Sequence, residues 1–153
     1  MRSESSCSPP LRSAAGSDPI PLHSVGNLVG VLGVVSRALG PVGGVAVVVA
    51  DRHGFLLDVC SSWEDAALES RLHRLVDLYA GDAGSVVVAT FRPDGDVEPT
   101  PADGAAFDRL VAHGREAGVV VREWLLVSGT RLRALGGPEH APDLWGPIAE
   151  GRL

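Results

Sequence analysis

The sequence predicts a single α/β domain in which helices flank a mixed β-sheet, with elements in the order α-β-β-α-β-α-β-β. Two runs rich in β-branched residues, 44–51 and 85–90, are typical of buried strands. Three other segments repeat apolar residues at helical spacing, and turns with Gly or Pro separate the elements. At 153 residues the chain has the length of one domain, built in two or three packed layers.

The first helix is predicted over residues 24–39, because Ser24 can cap its start and Gly40-Pro41 stops it. Its apolar face consists of Val25, Leu28, Val29, Leu32, Val35 and Leu39.

The other side of this helix has Arg37 as its only charge and otherwise carries Gly26, Gly30, Gly33, Val31 and Val34. A helix without a polar face is normally covered on both sides. We therefore expect either a homodimer through helix 24–39 or a covering by the C-terminal tail and Trp145.

A strand over 44–51, a turn and a second strand over 55–60 are expected to form a hairpin. A helix ending at Gly81 follows, and its start is predicted from the capping-box spacing of Ser61 with Glu64 or of Ser62 with Asp65. Its apolar stripe is Leu68, Leu72, Leu75, Val76 and Tyr79.

The second half is predicted to contain a strand at 85–90, a helix at 103–116 and strands at 119–127 and 130–135. Phe107, Leu110 and Val111 are expected to face inward from this helix. Residues 23–136 form the predicted domain. Residues 1–22 and 137–153 are rich in Ser, Pro or Gly and are predicted to be tails, the first of them disordered.

Charge and composition restrict the partners. The net charge of −6 and the lack of basic runs argue against a nucleic-acid surface.

No uninterrupted apolar stretch is long enough to span a membrane, and the N-terminal residues lack the apolar core of a signal peptide. All 13 basic residues are arginine, as in proteins of GC-rich bacterial genomes, and the two cysteines form no metal or disulfide pattern. We expect a cytoplasmic bacterial protein.

The stretch SVVVATFRPDGDVEPTPADG, residues 85–104, combines a buried strand with an acidic Pro/Gly loop and a helix start. With GVVVREWLLVSGTRLRAL after it, this stretch resembles the RadC-like branch of the JAB/MPN metallo-isopeptidase family. Working members of that family carry H-x-H, seven residues, Ser or Thr, two residues and Asp. The two His and the Asp hold Zn²⁺, and a Glu from an earlier strand handles the proton of the bound water.

The resemblance places the family's first His on Thr90, its second His on Arg92, its Ser/Thr on Thr100 and its ligand Asp on Asp103. The Glu would fall near Gly43, and residues 24–50 contain no Asp or Glu. Both histidines and the acid/base are therefore replaced. We predict no zinc, no cofactor and no catalysis, and a role as a binding or scaffolding module for a protein partner.

Arg92 suggests what replaces the metal. A guanidinium is permanently charged and its planar fork fits a carboxylate, so Arg92 is predicted to pair with Asp103 at roughly the metal position. The competing interpretation is that Arg92 points into solvent while Asp103 only caps its helix.

Two other classes stay open. One is an enzyme of undetected type that uses an acidic cluster, with or without a divalent cation; the cluster consists of Asp51, Asp94, Asp96 and Asp103. The other is a structural dimerisation unit. The acidic loop lacks the Gly and Glu that an EF-hand requires, and His53, His73 and His113 are interpreted as turn or helix-surface residues rather than metal ligands.

Overall fold

The computed structural model describes residues 19–145, which form an α/β fold around a five-stranded mixed sheet. The elements are α1 (Val25–Leu39), β1 (Gly44–Ala50), β2 (Leu56–Ser62), α2 (Leu68–Leu78), β3 (Ser85–Phe91), α3 (Pro101–Ala117), β4 (Val120–Ser128), β5 (Arg131–Ala134), α4 (Gly137–His140) and α5 (Pro142–Trp145). A 3₁₀ turn, Gly40–Val42, follows α1. This turn and the two short C-terminal helices were not predicted.

The strands lie in the order β2-β1-β3-β4-β5. β1 runs antiparallel to both of its neighbours, while β3 and β4 are parallel and are joined by the crossover helix α3. β5 returns antiparallel to β4 after a tight turn. The mixed sheet that the sequence predicts is therefore present.

Helices cover both faces of the sheet, so the domain has three layers rather than two. One face packs against α1 and residues of the C-terminal helices, and the other packs against α2 and α3. All seven residues of β3 are buried, which explains why its residues 86–89 are continuously apolar rather than alternating.

Helix α1 begins as predicted, with the Ser24 hydroxyl accepting a hydrogen bond from the Asn27 backbone N–H at 3.3 Å. Val31, which was assigned to the far side, is only 8% exposed and belongs to the core. Val34 on the far side is 48% exposed, so the described residues do not cover this side completely. The covering predicted from the tail after residue 145 and from the Trp145 side chain lies outside what the structure describes.

The predicted capping boxes at the start of α2 are wrong. Ser61 and Ser62 extend β2, where they pair with β1, and the helix begins only at Leu68. The Ser62 hydroxyl accepts a hydrogen bond from Nε of Arg71 at 2.8 Å, so it is used to hold the connecting loop instead of capping a helix.

Part of each predicted tail packs on the domain. Leu22 is 4% exposed, and its backbone N–H donates to the Gly54 carbonyl at 2.8 Å. At the other end Leu144 of α5 is 1% exposed within the α1 side of the core. The ordered domain therefore extends beyond 23–136 at both ends, while the predicted tail residues 1–18 and 146–153 lie outside the described residues.

No helix within residues 19–145 is long and apolar enough to cross a membrane.

Candidate functional site

The loops that the sequence singled out meet at one edge of the sheet. Because Gly44 pairs with Phe91 and Phe91 with Val127, the start of β1 and the carboxyl ends of β3 and β4 lie side by side. The end of β2 joins them, since Ser62 pairs with Val45. We call this edge, with the loops 63–67 and 92–100, the Arg92 edge. Carboxyl ends of parallel strands are where open α/β sheets usually bind ligands.

The predicted ion pair between Arg92 and Asp103 is present. Nη2 of Arg92 lies 3.2 Å from Oδ1 of Asp103 and also 3.2 Å from Oε2 of Glu64. The Arg92 and Asp103 side chains are 18% and 20% exposed, while Glu64 is 45% exposed. One guanidinium thus bridges two carboxylates from separate loops.

The electrostatics favour the charged forms of this pair. Partial burial alone would lower the pKa of Arg92, but hydrogen bonds to Glu64 and Asp103 outweigh it and raise the pKa above its usual value. Burial also acts to raise the pKa of Asp103, but hydrogen bonds from the Thr100 backbone and from Arg92 hold that pKa below its usual value.

Asp103 also closes the start of α3. Its Oδ2 accepts from the Thr100 backbone N–H at 2.8 Å, and the Thr100 hydroxyl accepts from the Asp103 backbone N–H at 3.1 Å. This capping box moves the start of α3 to Pro101, two residues before the predicted start. Both carboxylate oxygens of Asp103 are therefore engaged, one by the cap and one by Arg92.

Thr90 is completely buried among the side chains beneath α2 and α3. Its hydroxyl accepts a hydrogen bond from Nε1 of Trp124 at 3.0 Å. The side chain at the position that the resemblance assigns to a metal ligand thus accepts the hydrogen bond of a buried indole. Without this acceptor the indole N–H would be unpaired in the core, which is costly.

Gly43 lies at the same edge, but it leaves no space for a side chain. Its φ is 75°, and a Cβ atom there would lie 2.3 Å from the Phe91 carbonyl oxygen and 2.9 Å from Cδ of Pro93. The backbone leading to Arg92 therefore occupies the volume that a glutamate at this position would need.

The loop before α2 supplies the part of the site that sequence reasoning missed. Arg71 organises it: Nη2 donates to the Trp63 carbonyl at 2.6 Å, and Nη1 lies 2.9 Å from Oδ1 of Asp65. This arrangement directs Glu64 to Arg92 and leaves Trp63 62% exposed. The sequence signal for this part of the site is Trp63, a large apolar residue between two polar ones. No spacing pattern in the sequence relates Glu64 to Arg92.

The acidic loop is stabilised by its own side chains. Oδ1 of Asp94 accepts from the Asp96 backbone N–H at 3.1 Å, and Oδ1 of Asp96 accepts from the Glu98 backbone N–H at 2.9 Å. Such turns are a local structural use of aspartate.

Asp51 does not join the proposed acidic cluster. It follows Ala50, which pairs with Ser85 at the opposite end of β1 and β3, roughly 20 Å along the strands from the Arg92 edge. Its Oδ1 accepts from the backbone N–H groups of His53 and Phe55 and holds the hairpin turn. Among residues 19–145 no three His, Cys, Asp or Glu side chains are grouped so that they could hold a metal ion.

The helical histidines connect α2 with α3. The rings of His73 and His113 stack with centroids 4.4 Å apart, and Nε2 of His113 lies 2.8 Å from Oδ1 of Asp77. Within α2, Nε2 of His73 lies 3.7 Å from Oε2 of Glu69, whereas Asp77 turns to His113 of the neighbouring helix. His53 is exposed in its hairpin turn, as predicted.

No protein-family model matches this chain, and no curated protein is significantly similar to it in sequence. The fold and the Arg92 edge define the chain as an α/β protein with a mixed five-stranded sheet and an ion-paired arginine where its strands β3 and β4 end.

Proposed function

We propose that this chain is a catalytically inactive JAB/RadC-like domain that acts as a binding or scaffolding module and holds no zinc. The observation that carries the proposal is the Arg92 guanidinium, 3.2 Å from both Asp103 and Glu64. A guanidinium offers only N–H donors and stays protonated, so it cannot ligate a metal ion, and its charge repels a cation.

The other positions of the resemblance support the same proposal. Thr90 is engaged by Trp124, both Asp103 oxygens have hydrogen-bond donors, and Gly43 has no room for an acid/base side chain. Zinc hydrolases need three protein ligands and a group that handles the proton of the bound water. Of the four positions only Asp103 keeps the residue type of a ligand, and one ligand cannot hold a zinc ion.

The exposed apolar residues at the Arg92 edge support binding. Trp63 is 62% exposed directly beside Glu64, and Val42 is 72% exposed just before the start of β1. Tryptophan is enriched at the energetically important centres of protein interfaces. We therefore propose that a protein partner docks on this edge.

The test of lost catalysis is metal analysis of the full chain. After equilibration with zinc chloride and removal of unbound metal, we expect far less than one zinc per chain and no cleavage of an isopeptide-linked substrate. One zinc per chain, removed by a chelator together with a hydrolytic activity that Asp103→Ala also abolishes, would contradict the proposal.

The test of binding is site-specific photocrosslinking in cells. A photoreactive amino acid at Trp63 is expected to yield one discrete adduct, lost when Glu64→Arg is added. Leu78, which is 70% exposed at the end of α2, provides the matched control position. The same adducts from both positions would show that Trp63 marks no specific surface.

The enzyme alternative has no support in the geometry, because Asp51 is separated from Asp94, Asp96 and Asp103 by the length of the strands.

The homodimer through α1 stays a proposal. It is supported by the exposed Val34 and by Gly30 and Gly33, where an added Cβ would meet no atom within 4 Å.

A further inference from the structure

A cleft lies beside the first half of β4, away from the Arg92 edge. β5 pairs only with Leu125–Ser128, so within the described chain no strand continues the sheet next to residues 120–124. The end of α3 and the α4–α5 segment instead surround a cleft of about 520 Å³. This volume is within the range of small-molecule sites, roughly 300–1,000 Å³.

The walls of the cleft are mainly apolar. The apolar lining residues include Val111, Val120, Ala141 and Pro142, and also Val119, Val121 and Leu144, which are at most 2% exposed. Val120 is 62% exposed although it is a large hydrophobic residue in a strand. Covering the exposed apolar surface of Val120 with an apolar group lowers the free energy by about 25 cal/mol per Å² buried.

The ionisable side chains that line the cleft are two arginines and one histidine. They are Arg115, Arg122 and His140, and no described carboxylate lines it, although the whole chain has a net charge of −6. Arg115 is exposed in the last turn of α3. A guanidinium beside an apolar wall is complementary to an anion that carries an apolar body.

Hydrogen bonds of the remaining polar residues hold the walls of the cleft in place without a ligand. Arg122 is the extra residue of a β-bulge in β4, and its Nη1 donates to the Leu22 carbonyl at 2.9 Å. The buried Glu123 carboxylate accepts the backbone N–H groups of Gly136 and Gly137 at 2.7 and 2.8 Å. Nε2 of His140 lies 2.9 Å from the Val121 carbonyl oxygen. These bonds fix the start of α4 against β4 before any ligand arrives.

We propose that this cleft binds a small amphipathic carboxylate of the size of a medium-chain fatty acid. The carboxylate pairs with Arg115 at the mouth, and the aliphatic chain lies along the exposed Val120 and the half-buried Val111. A monoanion fits better than a phosphate dianion, because Arg122 is already bonded to Leu22 and Arg115 is the exposed cation. This site is independent of the function proposed for the Arg92 edge.

The experiment is calorimetric titration of the full chain with octanoate, with 1-octanol and octylamine as probes of the head group. Octanoate is expected to bind one per chain with a Kd at or below about 1 mM, the range reached by ligands of this size. Octanol is expected to bind at least fivefold more weakly, and octylamine not measurably. Equal affinity for the three probes, or no octanoate binding at 1 mM, would overturn the proposal.

Variants locate the site. Arg115→Ala is expected to weaken octanoate binding five- to tenfold and to leave octanol binding unchanged. Arg37→Ala removes another exposed arginine, on α1, and serves as the matched control, with no effect expected. Val120→Trp, a substitution at an exposed position, fills the cleft and is expected to abolish binding of octanoate and octanol at an unchanged melting temperature. Unchanged octanoate binding in Val120→Trp, or equal losses in the two arginine variants, would show that the ligand binds elsewhere.

Discussion

Replacing Arg92 by alanine tests whether the bridged ion pair stabilises the fold. The substitution leaves the Asp103 carboxylate, which is 20% exposed, without its cationic partner. Hydrogen bonds to charged groups contribute about 1.5–3 kcal/mol when buried, and partial exposure reduces this one to about 1–2 kcal/mol. The bond to Glu64 adds about 0–0.5 kcal/mol, because Glu64 is 45% exposed. We expect Arg92→Ala to lower the free energy of unfolding by about 1–2.5 kcal/mol.

The assay is urea unfolding followed by the fluorescence of the buried Trp124 and the other tryptophans. For an m-value of about 2 kcal/mol/M the midpoint should fall by roughly 0.5–1.3 M. Asp103→Asn keeps an oxygen for the helix cap but removes the charge, so the double variant should show a coupling energy of about 1 kcal/mol with Arg92→Ala. Glu64→Gln is the control for the exposed bond and should cost at most about 0.5 kcal/mol.

The pH dependence supplies an independent check. The pKa of folded Asp103 is lowered, so its ionised form stabilises the fold above the usual aspartate pKa of about 3.9. That stabilisation is lost as the pH falls below about 4 and through the lower folded pKa. The difference between the wild type and Arg92→Ala should therefore shrink over the same interval. A difference that is equally large at pH 7 and pH 2.5, or a coupling energy near zero, would refute the ion-pair reasoning.

Five further substitutions test other parts of the structure. Leu144→Ala should lower the free energy of unfolding by about 2–4 kcal/mol in urea titrations, since the side chain is 1% exposed; no loss would mean that α5 is not docked. Leu22→Ala should cost about 1–3 kcal/mol for the same reason, against the prediction that residues 1–22 form a disordered tail. Gly43→Ala should lower the thermal midpoint by several degrees, because the new Cβ meets the Phe91 carbonyl, whereas Gly30→Ala in α1 should not lower it. Val34→Arg should convert any dimer to monomer in sedimentation, and a wild type that is monomeric at all concentrations would reject the α1 interface.

The sequence correctly predicted those elements whose structure is determined by interactions between residues close in the chain. The β-branched runs of β1 and β3 are buried on both faces, so their apolar sequence reports their position directly. Ser24 caps α1 through a bond three residues away, which sequence spacing can reveal. The capping boxes predicted for α2 failed because Ser62 has a longer-range alternative in the β1 ladder and in Arg71.

The docked ends could not be predicted, because their bonds connect distant parts of the chain. Leu22 binds Gly54, and Gly136 binds the buried Glu123, yet the local composition of both ends is that of a tail. The candidate site shows the same division. Arg92 and Asp103 are both near α3, and their pairing was predictable, whereas Glu64 comes from a loop 28 residues before Arg92.

The backbone around Gly43 supports the proposal that this edge is not catalytic. The proposed resemblance to JAB/RadC-like enzymes would place a glutamate near this position. Here the Phe91 carbonyl and the Pro93 ring occupy the space of a Cβ atom at Gly43, and Arg92 lies between those two residues. A glutamate at position 43 would therefore displace the backbone that positions Arg92, while a histidine at position 92 would leave Asp103 without its permanent cation. Each of these changes is expected to destabilise the fold by itself, and their effects need not be additive, because the residues lie close together. The Arg92–Asp103 pair and the close contact at Gly43 are thus two separate structural obstacles to the metal site that the resemblance would place at this edge, and both support the proposal that the chain holds no zinc.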